Sequence, residues 1–115
     1  MPAPTELMKG NAVVMILSCL ARAPMHGYRI AKEIRRQSED YFVMGEGTLY
    51  PHLHRMEQDG WIEGRWETAP DGRERKSYRI TERGTKELAR KLEEWRKFQE
   101  KVNRVLSLSP NGSGA

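Results

Sequence analysis

The sequence is poor in the residues that mark several common classes of protein. Its single cysteine, Cys19, excludes an intrachain disulfide and a cysteine-rich zinc site. Cys19 lies in the apolar run 13–20, which is far shorter than the roughly 20 residues needed to cross a bilayer. Residues 1–10 contain one lysine and no long apolar segment, so we expect no signal peptide. These absences predict a cytoplasmic protein without a membrane partner.

Motifs for catalysis are also missing. The chain has no Gly-rich phosphate-binding loop, no nucleophile motif and no His-Glu-x-x-His segment. His52 and His54 are two positions apart, so their rings cannot bind one metal ion from the same face of a helix. We therefore expect no enzyme, no cofactor and no metal site.

The composition fits one small folded domain. The chain has 115 residues, of which 37% are hydrophobic and 31% charged, so the core is thin for this length. A thin core indicates that some apolar surface is buried against a second chain. The net charge of +4 favours a nucleic acid or another anionic partner, although many proteins that bind neither share it.

Three helices are predicted in the first half of the chain. Residues 6–22 are apolar around most of the helix circumference, which is typical of a buried helix. A second helix is predicted over 26–38, with Arg29 and Lys32 on its outer face. A third is predicted over 46–59, where Gly60 ends it, and its buried face is formed by Leu49, Leu53 and Met56. The third helix contains Pro51, which removes a backbone hydrogen bond in a helix interior. Either this helix begins nearer Thr48, or its first turn is distorted.

A hairpin and a long helix follow. Polar and apolar residues alternate over 62–67 and 76–80, with a turn at 70–72 between them. Thr81 is predicted to cap a helix that runs to about Leu106. The order predicts a mainly α protein with a small β-hairpin, a winged helix-turn-helix followed by a long dimerisation helix. The predicted units are the winged domain at 6–81, the helix at 82–107 and a disordered tail at 108–115.

The third helix and the hairpin carry the residues suited to double-stranded DNA. The second helix of a helix-turn-helix enters the major groove, so its outward side chains contact the duplex. A basic hairpin beside it can bind the sugar-phosphate backbone, although a charged hairpin is also compatible with an ordinary solvated surface. The predicted DNA-binding residues are Thr48, Tyr50, His52 and Arg55 on the helix, and Arg73, Arg75 and Lys76 in the hairpin.

The last helix carries an apolar stripe that a small winged domain cannot cover. Its members recur at spacings of four and three residues, which is typical of helices that pair. We predict a homodimer formed through this stripe; the alternative is that the stripe folds back on its own domain. The predicted dimerisation residues are Leu88, Leu92, Trp95, Phe98, Val102 and Leu106.

Three segments of the chain resemble those of the PadR family of transcriptional regulators. They are residues 26–28 (HGY), 47–62 (GTLYPHLHRMEQDGWI) and 75–84 (RKSYRITERG), and the resemblance spans about 7–106. The single C-terminal helix resembles the compact subgroup of the family. The resemblance implies a dimeric repressor of efflux or detoxification genes, bound to a palindromic operator and released by a small molecule.

The resemblance also implies an effector site. Compact multidrug-sensing members bind flat aromatic compounds at the dimer interface through a tryptophan on the last helix, and Trp95 matches that position. Val14, Ser18 and Gln99 would then line the same space around a planar aromatic effector. The alternative is that Trp95 only packs the dimer.

A second class of function stays open on the sequence alone. Some winged helices bind proteins instead of nucleic acids, and the net charge does not separate the two. DNA binding is distinguished by a steep fall in affinity as salt rises, because cations on the protein displace counterions from the phosphates.

Overall fold

The computed structural model describes residues 2–107, so the tail predicted at 108–115 lies outside the described part of the chain. The elements are α1 (Thr5–Gly10), α2 (Ala12–Arg22), β1 (Met25–His26), α3 (Gly27–Gln37), α4 (Glu46–Gln58), β2 (Ile62–Thr68), β3 (Glu74–Ile80) and α5 (Glu82–Val105). This order confirms the predicted winged helix-turn-helix with a long C-terminal helix.

The first predicted helix is interrupted. The prediction of one helix over 6–22 was wrong, because Asn11 leaves the helical conformation at φ −116° and separates α1 from α2. The Asn11 side-chain amide donates a hydrogen bond to the Leu7 carbonyl at 2.8 Å. Glycine and asparagine are both poor helix formers, so the pair Gly10-Asn11 allows this break at little cost.

The sheet has one strand more than predicted. All pairs are antiparallel in the order β1-β3-β2, with Ile62 opposite Ile80 and Trp66 opposite Lys76 in the hairpin. The extra strand β1 has two residues, Met25 and His26, which pair with β3. Two residues are too few for a periodic pattern to reveal. We call β2, β3 and the turn between them the wing.

The core joins α2, α3, α4 and the base of the wing. The predicted inward face of α4 is confirmed, since its three apolar members are almost fully buried. The largest fully buried side chains are Ile16, Leu17, Ile30, Leu49, Leu53, Met56 and Ile62. Burial of branched aliphatic side chains in this way stabilises the fold by about 1.5–3 kcal/mol for each residue.

The helix α4 is continuous through Pro51. It begins at Glu46, after the cap residue Gly45, in agreement with the predicted range 46–59, so of the two alternatives the start nearer Thr48 is excluded. Pro51 lies in the second turn, where its missing N–H leaves the Gly47 carbonyl without a helical partner. Both residues are exposed, so water can satisfy that carbonyl.

The start of α5 is fixed to the wing. The predicted cap is confirmed, because the Thr81 hydroxyl accepts a hydrogen bond from the Gly84 amide at 3.0 Å. The same hydroxyl donates to the Gly60 carbonyl at 2.6 Å. A Cβ at Gly84 would overlap the carbonyl oxygen of Trp61, so this close approach requires glycine. These contacts set the direction in which α5 leaves the sheet.

Candidate nucleic-acid interface

A groove of about 960 Å³ lies between the wing and the helices α3 and α4. We call it the wing groove. It exists because β1 pairs with β3, which brings the start of α3 beside the wing. The side chains that line it include Tyr28, Arg29 and Lys32 from α3, Tyr50, His54 and Glu57 from α4, and Trp66, Arg73, Arg75 and Lys76 from the wing.

The wing groove brings together part of the predicted DNA-binding set. Tyr50 of α4 lines it together with the three predicted wing cations Arg73, Arg75 and Lys76. The helix and the wing were predicted to act side by side, and these four residues share one concave surface. Cations on both sides of a groove, with aromatic rings between them, suit a sugar-phosphate backbone.

The other predicted residues of α4 lie on a different flank of the helix. At about 100° per residue, Thr48, His52 and Arg55 fall on the opposite side of the exposed face from Tyr50. They are not among the residues that line the wing groove. Partial burial, followed by the positive charges of Arg55 and Lys9, lowers the pKa of His52, so its ring is neutral at pH 7. A DNA duplex bound against the exposed face of α4 would contact both flanks of this helix.

Lys76 connects the wing to α4. Its ammonium lies 2.9 Å from Glu57 Oε1, and this hydrogen bond raises the pKa of Lys76. The side chain crosses directly over Gly64, where a Cβ would overlap it. The ammonium also lies 5.9 Å from the centroid of the Trp66 ring. Lys76 therefore fixes the angle between the wing and α4, and Glu57 already balances its charge.

The two arginines at the wing tip differ in their partners. Arg75 lies 3.3 Å from the Asp71 carboxylate within the turn. The Arg73 guanidinium makes no ion pair within residues 2–107, and its backbone amide donates to Asp71 Oδ1 at 3.0 Å. Arg79, on strand β3 with Arg75, pairs with Glu63 at 2.9 Å outside the wing groove. Among the predicted DNA-binding cations of the wing, Arg73 is thus the one most available to a phosphate.

Sequence reasoning missed the contribution of α3. Tyr28 is 74% exposed and lines the wing groove with Arg29 and Lys32. The sequence placed Arg29 and Lys32 on the outer face of their helix, but only the β1 pairing shows that this face borders the wing. Trp66 was assigned to the wing strand without a role, and its position in the groove was not foreseen.

A second cavity, of about 510 Å³, lies among α1, α2, α3 and α5. We call it the α5 cavity. Val14, Ser18 and Trp95, which were predicted as effector contacts, line it, whereas Gln99 does not. Cys19 lines it as well, and burial raises the pKa of this thiol, so it stays protonated. The volume lies within the roughly 300–1,000 Å³ of small-molecule sites.

The apolar stripe of α5 divides into a covered and an uncovered part. Leu88 was predicted as a dimer contact, but it is 8% exposed and packs in the core of its own chain. The exposed part begins at Leu92 and continues through Trp95 and Phe98, whose rings stack 6.2 Å apart. Val102 is half-buried and Leu106 is exposed. Beyond Leu88 the stripe is not buried in the core of its own chain, and only Leu92 and Trp95 border the α5 cavity.

Two further observations concern residues 2–107. No helix in this range combines the length and the apolar character that a membrane crossing requires. Within the same range, no three His, Cys, Asp or Glu side chains group as they would around a metal ion.

Comparisons with known proteins agree with this architecture. The model of the transcriptional regulator PadR-like family matches residues 16–90. The transcriptional regulator Rv3488 of Mycobacterium tuberculosis is 31% identical over 109 residues, which cover 95% of each chain. A transcriptional regulator from Clostridium thermocellum superposes with a TM-score of 0.80 at 32% identity, over 87% of this chain and 97% of that one. A PadR family regulator from Eggerthella lenta gives a TM-score of 0.79 at 29% identity, over 90% and 88%.

The chain belongs to the PadR-like family of transcriptional regulators. It is therefore a DNA-binding regulator built on a winged helix, and the family resemblance of the three sequence segments is confirmed.

Proposed function

We propose that the protein is a cytoplasmic homodimeric repressor that binds a palindromic operator and is released by a planar aromatic effector. The observation that carries the proposal is the wing groove, in which Tyr50 of α4 and Arg73 of the wing face the same space. The regulated genes that we propose, those for efflux or detoxification, follow from the family resemblance.

The proposed dimer is supported by the uncovered part of the α5 stripe. Phe98, on the 24-residue helix α5, is 61% exposed, and Leu106, the residue that follows the end of this helix, is 60% exposed. Leaving such side chains in water is unfavourable by about 25 cal/mol for each Å² of apolar surface. A second copy of α5 offers a matching apolar surface, because a two-fold interface pairs one patch with itself.

The proposed effector site is supported by the α5 cavity. Trp95 is 48% exposed and lines the cavity together with Leu92 on the same helix. In a dimer through α5, two cavities and two Trp95 rings would lie near one two-fold axis. A planar aromatic molecule stacks favourably on an indole ring, with about 0.5–1.5 kcal/mol beyond the area that it buries.

The effector proposal is tested with ethidium, a planar aromatic cation, titrated into the protein without DNA. Trp95→Ala should lower the affinity for ethidium about tenfold. The variant should stay dimeric by analytical ultracentrifugation, because Phe98 and Leu106 of the same stripe remain. Trp61→Phe is the matched control, because Trp61 packs beside Lys91 and does not line the cavity. Unchanged ethidium affinity in a dimeric Trp95→Ala variant would show that Trp95 is not part of the effector site. If the natural protein is a monomer, the proposed dimer is wrong.

A further inference from the structure

Trp66 is an exposed aromatic residue that is not part of the hydrophobic core. It is 66% exposed, more than Trp95 at 48% and more than the half-buried Trp61. It lies on β2 with Ile62 and Gly64 on the same face of the strand, and Ile62 is fully buried at the base of the wing. The alternation of the strand therefore directs Trp66 towards α4, beyond the end of the core.

The Trp66 ring lies inside the wing groove and is held there. It shares the groove with Tyr50 and His54 on one side and Arg73 on the other. The Lys76 ammonium lies 5.9 Å from the ring centroid, and Glu57 fixes that ammonium at 2.9 Å. A cation over an indole face restrains the ring and adds attraction. The ring is thus in place before any partner binds.

The surroundings of the ring match the alternating chemistry of a nucleic-acid strand. Arginines such as Arg73 suit the phosphates, and between successive phosphates the strand presents an apolar deoxyribose. An indole is a flat apolar surface of the size that covers such a sugar. We propose that Trp66 contacts DNA directly, with its ring packed on a deoxyribose at the edge of the minor groove beside α4. This proposal rests on the DNA-binding function of the family.

The ring should report DNA binding in its fluorescence. The chain has three tryptophans, so titration with a random 20-base-pair duplex is compared across single replacements. The natural protein, Trp61→Phe and Trp95→Phe should each show a DNA-dependent change in emission. Trp66→Phe should lose that change while it still binds the duplex by anisotropy of a labelled DNA. A DNA-dependent emission change that survives in Trp66→Phe would overturn the proposal.

Affinity gives an independent measurement. Trp66→Ala should weaken duplex binding about tenfold, as expected for loss of an aromatic contact to nucleic acid. The slope of log affinity against log salt should not change, because no cation is removed. Thr68→Ala, an exposed truncation on the same strand outside the wing groove, is the control and should bind normally. Thermal unfolding checks that Trp66→Ala is folded, as its exposure predicts.

The outcomes separate this proposal from the function on which it rests. If the natural protein binds DNA with a steep salt dependence and Trp66→Ala binds equally well, the Trp66 contact is wrong and DNA binding stands. If Trp66→Ala flattens the salt slope, the ring acts by supporting a cation, and the contact is also wrong. If the natural protein does not bind duplex DNA at low salt, both the contact and the DNA-binding function are wrong.

Discussion

Gly27, in the first turn of α3, lies directly against the ring of Tyr50 on α4. A Cβ at Gly27 would lie 3.0 Å from both Cε1 and the hydroxyl oxygen of Tyr50. Every residue other than glycine carries a Cβ, which would crowd the ring at this position. The ring in turn forms one wall of the wing groove. The packing of α3 on α4 therefore determines where a predicted DNA-binding side chain lies.

Gly27→Ala should destabilise the protein by about 1 kcal/mol, because the added methyl group crowds the ring. In a Tyr50→Ala background the same replacement should be neutral or stabilising, since alanine favours a helix over glycine. Urea unfolding of the four proteins, at one fixed protein concentration, measures the coupling between the two sites. An equal effect of Gly27→Ala in both backgrounds would show that the ring does not lie against the glycine.

Arg73→Ala should weaken binding to every duplex sequence and reduce the salt slope by about 1, because one phosphate contact is lost. Arg79→Ala is the matched control, since Arg79 pairs with Glu63 outside the wing groove and should leave the slope unchanged. Anisotropy titrations at several salt concentrations measure both slopes. If Arg73→Ala altered sequence preference with the slope intact, the phosphate assignment would be wrong.

Glu39→Gly should stabilise the protein by about 0.5–1 kcal/mol. Glu39 and Asp40 adopt left-handed backbone angles of φ 52° and 66° after the end of α3, a region that glycine occupies without strain. Asp40 is best left in place, because its carboxylate pairs with Arg35 at 2.9 Å. Glu39→Ala keeps the strain and serves as the control. Urea unfolding measures the effect, and a loss of stability on Glu39→Gly would show that the backbone at this position is not strained.

The carboxylate of Glu33 should make stability depend on pH below 4.5. Hydrogen bonds from Arg36 and then Gln37, with the charges of Arg36 and Arg29, lower the pKa of Glu33 from 4.5 to about 2. Because the folded-state value is the lower one, the contribution is present above 4.5 and is lost as pH falls to about 2. Glu33→Gln should lower the Tm by at most about 4 °C at pH 7 and low salt.

The difference between Glu33→Gln and the natural protein should shrink as the pH falls from 4.5 through about 2 and vanish below it, where both side chains are neutral. A scan of Tm against pH for the two proteins provides the measurement. A Tm difference that stays constant from pH 7 to pH 2 would show that the loss does not come from the charge.

The parts of the fold with a strong local pattern could be predicted from the sequence. The stripe of Leu49, Leu53 and Met56 and the cap at Thr81 depend on residues close in the chain, and both are confirmed. The break at Asn11 was missed, because the apolar residues on both sides of it were given more weight than the poor helix formers Gly10 and Asn11. Strand β1 depends on pairing with residues about 50 positions later, for which a two-residue segment gives no signal.

In the candidate site, too, features with a local sequence pattern could be predicted, and features that depend on distant parts of the chain could not. The cations of the wing could be predicted, since a basic hairpin after a helix-turn-helix has a local pattern. The groove that they form could not, because it depends on how α3 meets the wing. The same is true of Lys76, whose pairing with Glu57 joins residues on different elements. Leu88 belongs to a regular stripe, and only the packing of α5 shows that it lies in the core.

Selection of bound sequences from a random duplex pool shows whether the protein is a symmetric dimer that presents α4 and the wing to DNA. We expect enrichment of a two-fold symmetric site with half-sites about one helical turn, or a multiple of it, apart. Enrichment of a single asymmetric site, or no enrichment at low salt, would contradict it.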